Sequence, residues 1–235
     1  MYKKTEYRMP QSIEVEITHK GRYGAPGMER GKRQKPTPEE VKRNNERQRL
    51  KRIRRKINMN FCQNDYHLVL TYRREERCTM EEAMIQIRKW LDRLRYYYKK
   101  AGEPLKYIAV VAIGERGAVH AHVILNGITD TPNLARKHWK KGRVHMTMLD
   151  DSGEYAQLAA YIMQQDTGQE RMKYICSRNL KEPRPIKKDI KRFDPEKIRP
   201  YKGYYVDQDS IITGINPVTG YPYMQYTMKK VRLRI

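Results

Sequence analysis

Gly114-Glu-Arg-Gly-Ala-Val-His-Ala-His-Val-Ile-Leu125 is the stretch of sequence from which the fold and the function are predicted. From Val119 onward, aliphatic side chains alternate with the pair His120 and His122, which is the two-residue period of a β-strand. Both imidazoles therefore project from the same face of the predicted strand, two residues apart.

Two parallel imidazoles can hold a divalent cation at two points, since neutral imidazole is a common metal ligand. Glu115, in the glycine-bracketed turn before the strand, is the candidate for a third, oxygen ligand. Such a site leaves coordination positions open for water or a substrate phosphate, as a catalytic metal requires. The alternative is a structural His pair, although two unpaired imidazoles are costly to bury.

The charge of the chain indicates its partner. The 50 Lys and Arg residues outnumber the 27 Asp and Glu residues, which gives a formal net charge of +23. A polyanion is expected, either nucleic acid or an anionic membrane surface. No apolar run approaches the ~18 residues of a membrane span, and no segment resembles a signal peptide. The sequence therefore predicts nucleic acid and no membrane.

The cysteines and the first 60 residues add two further predictions. Cys62, Cys78 and Cys176 are scattered, so we expect a reducing cytosol rather than a disulfide framework or a zinc finger. Residues 1–35 show little periodicity beyond a short strand at 13–17. Thr37 and Glu40 then form a capping box for a helix to about Lys56. Its run of cations favours contact with phosphates over a merely solvated helix.

The middle of the chain predicts most of the regular structure. Strands are expected at 66–72, 107–113, 119–125, 143–149 and 171–176, and helices at 80–100, 132–140 and 155–165. Helical spacing places Tyr155 in the buried stripe of the last helix and Tyr161 on its flank, where its hydroxyl can reach a cleft. His145 is predicted to be a surface residue.

These elements predict an α+β fold: a ferredoxin-like antiparallel sheet with helices packed on one face, flanked by basic N- and C-terminal extensions. The predicted domains are 1–60, a basic extension with a helix; 61–183, the central domain; and 184–235, a basic, tyrosine-rich segment. Thr219-Gly220 indicates a turn between two short strands in the last segment. Its tyrosines suit either single-stranded nucleic acid or packing on the domain.

Three motifs resemble the HUH superfamily, specifically the rolling-circle replication initiators of small phages and plasmids. They are the strand Leu68-Val-Leu-Thr-Tyr72, the Glu115 and His120-Ala-His122 motif, and Tyr161 on a helix some forty residues later. Residues 177–183 resemble a segment that follows this helix in one branch of these proteins. The resemblance spans roughly residues 61–183 and implies an HUH endonuclease-like fold.

The resemblance also implies a mechanism. Mg²⁺ or Mn²⁺, held by His120, His122 and Glu115, would polarise a phosphodiester of single-stranded origin DNA. Tyr161 would be the nucleophile and form a 5′-phosphotyrosine link, and the released 3′-OH would prime rolling-circle synthesis in the cytoplasm of a bacterial host. The cations expected to bind DNA are Arg73, Arg74, Lys173 and Arg178.

Two features limit this interpretation. Many relatives carry a lysine three residues after the tyrosine, whereas this chain has Gln164, so Lys173 or Arg171 would have to replace it. No phosphate-binding Gly-x-x-x-x-Gly-Lys-Ser/Thr loop occurs, so helicase and polymerase are expected from the host. A transposase or a mobilisation relaxase with the same chemistry, and a non-catalytic nucleic-acid-binding regulator, remain alternatives.

Overall fold

A computed structural model describes residues 1–21, 24–25, 27, 29–114, 117–164 and 173–231, with the main chain alone at 164 and 173. The chain divides into two compact units. One unit combines residues 1–59 with 182–235, and the other contains residues 60–181. The sequence did not predict that the two ends of the chain fold together. No helix in the described part of the chain is long and apolar enough to cross a membrane.

The unit of residues 60–181 is built on a five-stranded antiparallel sheet. Its strands are β3 (Tyr66–Leu70), β4 (Tyr107–Ile113), β5 (Val119–Leu125), β6 (Val144–Met148) and β7 (Lys173–Cys176), in the order β6-β3-β5-β4-β7. Its helices are α2 (Met80–Lys100), α3 (Thr131–His138) and α4 (Ala156–Gln164), with a 3-10 turn at Arg74–Glu76. The predicted α+β class is therefore confirmed.

Local sequence explains the best-predicted elements. Thr79 caps α2: its hydroxyl accepts the Glu82 N–H at 3.2 Å, and the Glu82 carboxylate accepts the Thr79 N–H at 2.9 Å. The all-apolar β4 is buried along almost its whole length, as expected of a strand covered on both faces. The strand β5 carries the His pair and lies in the middle of the sheet, between β3 and β4.

Alternation along β5 divides the sheet into two chemically different faces. Ala121, Val123 and Leu125 enter the core beneath α2 and α3, whereas His120 and His122 point to the opposite face. The helix α4 lies on that opposite face, because the Tyr161 ring contacts the His122 ring. The expectation that all helices would cover one face was therefore wrong for α4, whose side of the sheet sequence periodicity does not specify.

The other unit contains a second antiparallel sheet and one long helix. The helix is α1 (Pro38–Asn60), which begins at the predicted capping box of Thr37 and Glu40. The strands are β1 (Tyr2–Arg8), β2 (Ser12–His19), β8 (Pro185–Ile190), β9 (Tyr204–Ile215) and β10 (Pro222–Lys230), in the order β8-β1-β2-β10-β9. The strands β1 and β8 were not predicted, and β9 and β10 are longer than expected. Tyr221 and Tyr226 pack in the core of this unit.

The helix α1 is anchored to this sheet by buried ion pairs. Glu14 of β2 accepts hydrogen bonds from Arg54 and Arg55, the latter at 2.5 Å between Oε1 and Nη2. Arg55 also reaches Glu16 at 2.7 Å, and Lys51 reaches Glu16 at 2.9 Å. Lys51, Arg54 and Arg55 are thus engaged within the unit. The predicted contact of the whole cationic run with phosphate is wrong for these three residues.

We predict that Glu14→Gln destabilises this unit by about 3–5 kcal/mol, because it leaves two arginines without their buried carboxylate partner. Urea unfolding should measure the loss. The matched control is Glu182→Gln, which breaks the exposed pair with Lys56 and should cost no more than about 1 kcal/mol. Equal costs for the two variants would contradict the assigned role of the buried network.

The same pair should make stability depend on pH. Burial alone raises the pKa of Glu14, but Arg54 and Arg55 outweigh it and lower that pKa. The folded pKa then lies below the unfolded value of about 4.3, so the ionised pair stabilises the unit above that value and its contribution is lost as pH falls through the folded pKa. The difference in unfolding free energy between wild type and Glu14→Gln should therefore shrink below about pH 4.3.

Candidate active site

Three histidines and one tyrosine form the imidazole cluster, which lies on the α4 side of the sheet and consists of His67, His120, His122 and Tyr161. The Nε2 atoms of His120 and His122 are 3.2 Å apart, and His122 Nδ1 is 3.2 Å from His67 Nε2. The Tyr161 ring meets His122 edge-on with centroids 5.2 Å apart, and His67 at 6.3 Å. The predicted His pair and the predicted tyrosine therefore lie side by side.

The antiparallel register brings these side chains together. Val69 of β3 and Val110 of β4 pair with His122, so the imidazole lies at the middle of a three-strand row. His67 is two residues before Val69 and therefore shares its face. Gly114 makes room for His120, since a Cβ there would lie 3.4 Å from the His120 Cε1 atom.

Burial keeps two of the imidazoles neutral. The pKa of His122 is lowered to about 3, first by desolvation and then by the neighbouring His120 and His67. Desolvation also lowers the pKa of His67 to about 4. Only an unprotonated imidazole nitrogen can bind a metal, so these two rings are held in the form that a ligand or its neighbour requires.

The two tyrosines of α4 have different environments. Tyr155 is 4% exposed, and its hydroxyl donates to the Asp150 carbonyl at 2.9 Å. Burial, with a smaller contribution from Asp150, raises the pKa of Tyr155 to about 12. Tyr161 is 47% exposed beside the imidazoles. The prediction that Tyr155 is in the core is confirmed, and Tyr161 is the phenol that a bound molecule can reach.

The donor set fits a divalent cation at two positions. Two ligands at right angles, each about 2.1 Å from one ion, are about 3.0 Å apart, which is close to the 3.2 Å between the two Nε2 atoms. Among the described residues, no group of three His, Cys, Asp or Glu has a metal-site arrangement. His67 does not complete one, because its Nε2 faces His122 Nδ1. Glu115, the predicted third ligand, lies outside the described residues.

The cations predicted to bind DNA are at different ends of the sheet. Arg73 and Arg74 are exposed and follow the end of β3, towards the His120 end of β5. Arg73 donates to the Lys140 carbonyl at 3.0 Å. The main chain of Lys173 pairs with Val111 near the same end, and its side chain lies outside the description. Arg178 follows β7 towards the opposite end, so the four residues do not form one cluster.

Sequence reasoning missed His67 and placed His145 correctly. His67 was quoted within a strand but was given no role, because nothing in the sequence states which residue of β3 faces His122. A prediction of the β3–β5 register would have revealed it. His145 is exposed on the edge strand β6, as predicted.

This unit is a replication-associated domain, because residues 65–166 match a family of such proteins. The family is the one described as Replication-associated protein ORF2, and the match covers less than half of the chain. It supports the predicted resemblance to replication initiators and implies an interaction with DNA. Neither the curated proteins nor the solved structures contain a significant match to this chain.

We predict that Tyr161→Phe changes the free energy of unfolding by less than about 0.5 kcal/mol, because the side chain is half-exposed and makes no side-chain hydrogen bond to the described residues. Tyr155→Phe should lose about 1 kcal/mol with its buried hydrogen bond. Thermal or urea unfolding of both variants checks this. A large loss in Tyr161→Phe would mean that the phenol is structural.

Proposed function

We propose that this protein nicks single-stranded origin DNA through Tyr161 and later rejoins the strand, as a rolling-circle replication initiator. The observation that carries the proposal is the position of an exposed phenol edge-on to the buried His122 ring, with centroids 5.2 Å apart. A replication-associated family and a net charge of +23 support DNA as the substrate.

The reaction is an in-line displacement at phosphorus. The Tyr161 oxygen attacks the scissile phosphate, its proton passes to solvent, and a bond from phosphorus to the phenol oxygen forms. The bond to the 3′ oxygen breaks, and that oxygen takes up a proton to become a free 3′-OH. The product is a 5′-phosphotyrosine ester. A second 3′-OH attacking this ester reverses the exchange and rejoins the strand.

His120 and His122 hold Mg²⁺ or Mn²⁺ in this proposal, with Glu115 as the third ligand. When bound, the cation withdraws electron density from the phosphate and offsets the charge that develops on its oxygens. The sheet fixes both imidazoles at the spacing of neighbouring ligands. The half-exposed Tyr161 keeps its hydroxyl open to an incoming strand.

Affinity for DNA is assigned to cations rather than to the imidazole cluster. Arg73 and Arg74, on the exposed loop after β3, and Lys173 on β7 are proposed to contact phosphates at the His120 end of the sheet. Arg178 is proposed to contact the strand further away. Because the sequence contains no phosphate-binding loop of the helicase type, a bacterial host is proposed to supply helicase and polymerase.

The test uses single-stranded DNA of randomised sequence, labelled at its 3′ end, with Mn²⁺. A 5′-phosphotyrosine link retains the 3′ label on the protein, so we expect a labelled protein band on a denaturing gel. Tyr161→Phe should abolish this band and Tyr155→Phe should keep it, because the Tyr155 hydroxyl is buried. A band retained in Tyr161→Phe, or a band obtained only with a 5′ label, would overturn the assignment.

His120→Ala and His122→Ala should also abolish the adduct while largely preserving affinity for the same DNA, because Lys and Arg contacts with phosphate supply the affinity. Filter binding measures that affinity. Equal loss of binding and cleavage would contradict the division of roles. Absence of an adduct with every divalent metal would favour a non-catalytic binding protein. A transposase or relaxase would give the same adduct, and the replication-associated family favours replication.

A further inference from the structure

His67 is the histidine of the cluster to which the proposed function assigns no role. Its Nε2 atom is 3.2 Å from His122 Nδ1, and the two rings are stacked with centroids 5.4 Å apart and an interplanar angle of 10°. The contact involves the nitrogen of His122 that faces away from His120. His67 is therefore placed to act on the proposed ligand from behind.

The protonation of His120 follows from its own contact. Its Nδ1 atom is 3.3 Å from the Ala118 carbonyl oxygen. A carbonyl oxygen only accepts hydrogen bonds, so Nδ1 is the nitrogen that carries the proton. A neutral imidazole has one N–H, and the Nε2 atom of His120 therefore presents a lone pair to His122.

His122 has two possible arrangements between these neighbours. In the first, His122 Nε2–H donates to the lone pair of His120, and His67 Nε2–H donates to His122 Nδ1. In the second, His122 Nδ1–H donates to an unprotonated His67 Nε2, and the two Nε2 lone pairs of His120 and His122 face each other. The first satisfies both contacts without a cation, whereas only the second can bind one.

We propose that His67 is the positioning residue that sets the tautomer of His122, so that both Nε2 atoms are unprotonated when a divalent cation binds. This inference rests on the metal site of the proposed function. In the exchange, His122 moves its proton from Nε2 to Nδ1, and His67 moves its own proton from Nε2 to Nδ1. Each ring keeps one proton and no net charge.

An imidazole suits this position better than the usual partners of metal-bound histidines. A carboxylate or a backbone carbonyl only accepts, and so supports the second arrangement alone. His67 can donate in the first arrangement and accept in the second. His122 is 1% exposed, and water is poorly placed to take over this exchange. The buried contact therefore stays hydrogen-bonded both with and without the cation.

Nitrogen NMR of ¹⁵N-histidine-labelled protein tests the tautomers directly. Without metal, His122 and His67 should both be protonated at Nε2. One equivalent of Zn²⁺, a diamagnetic ion that imidazole binds well, should move both protons to Nδ1. His145, exposed on β6, should not change. A His67 ring that keeps its tautomer when Zn²⁺ binds, or that itself becomes a zinc ligand, overturns the inference.

Two substitutions test the contribution of His67 to affinity. His67→Leu should weaken Mn²⁺ binding, measured by electron paramagnetic resonance, by about 10–100-fold, as loss of a ligand's hydrogen-bond partner does elsewhere. His67→Gln should restore most of it, since an amide can donate or accept. The control His145→Leu changes a histidine of the neighbouring strand that has no contact with the described part of the cluster, and should bind Mn²⁺ as wild type does.

Equal affinity of His67→Leu and wild type would overturn the inference, and so would complete loss of binding like that expected of His120→Ala, which would make His67 a ligand. Circular dichroism checks that each variant folds. Neither measurement uses DNA or Tyr161. Expected tautomers without a Tyr161 adduct would reject nicking alone, whereas an adduct with unchanged tautomers would reject this inference alone.

Discussion

The antiparallel register of β3, β5 and β4 is the constraint on which the candidate site depends. Successive residues of a strand face opposite sides of the sheet, so a single register fixes both the apolar core and the imidazole cluster. His122 pairs with Val69 and Val110 in one row. A slip of one residue would turn His120 and His122 into the core beneath α2 and expose Val123 in their place. Stability therefore enforces the geometry of the site.

Side chains of different chemistry hold the two units together. Aliphatic and aromatic residues pack α2 against its sheet, whereas α1 is bound by arginines and a lysine paired with Glu14 and Glu16. A buried carboxylate is costly unless its charge is compensated. In a chain of this composition, part of the positive charge is therefore structural. A count of cations alone overstates the surface available to a polyanion.

Sequence reasoning succeeded where the signal is local. The capping boxes of α1 and α2, the apolar β4 and the alternating β5 are each contained in a few consecutive residues, and all were located correctly. The pairing of β1 with β8 joins residues nearly 190 positions apart, and no local pattern encodes it. His67 was missed for the same reason, because its neighbour His122 is 55 residues away.

The chemistry of the cluster and the charge of the chain have opposite requirements. Phosphate binding needs permanent cations, whereas a metal ligand needs an imidazole without a proton on the ligating nitrogen. Burial satisfies the second requirement by lowering the pKa of His122 and of His67. Arg73 and Arg74 are exposed and keep their charge in water. In the proposed enzyme, strand capture and bond exchange would thus use separate side chains, and the half-exposed Tyr161 would be the point at which the captured phosphate meets the neutral cluster.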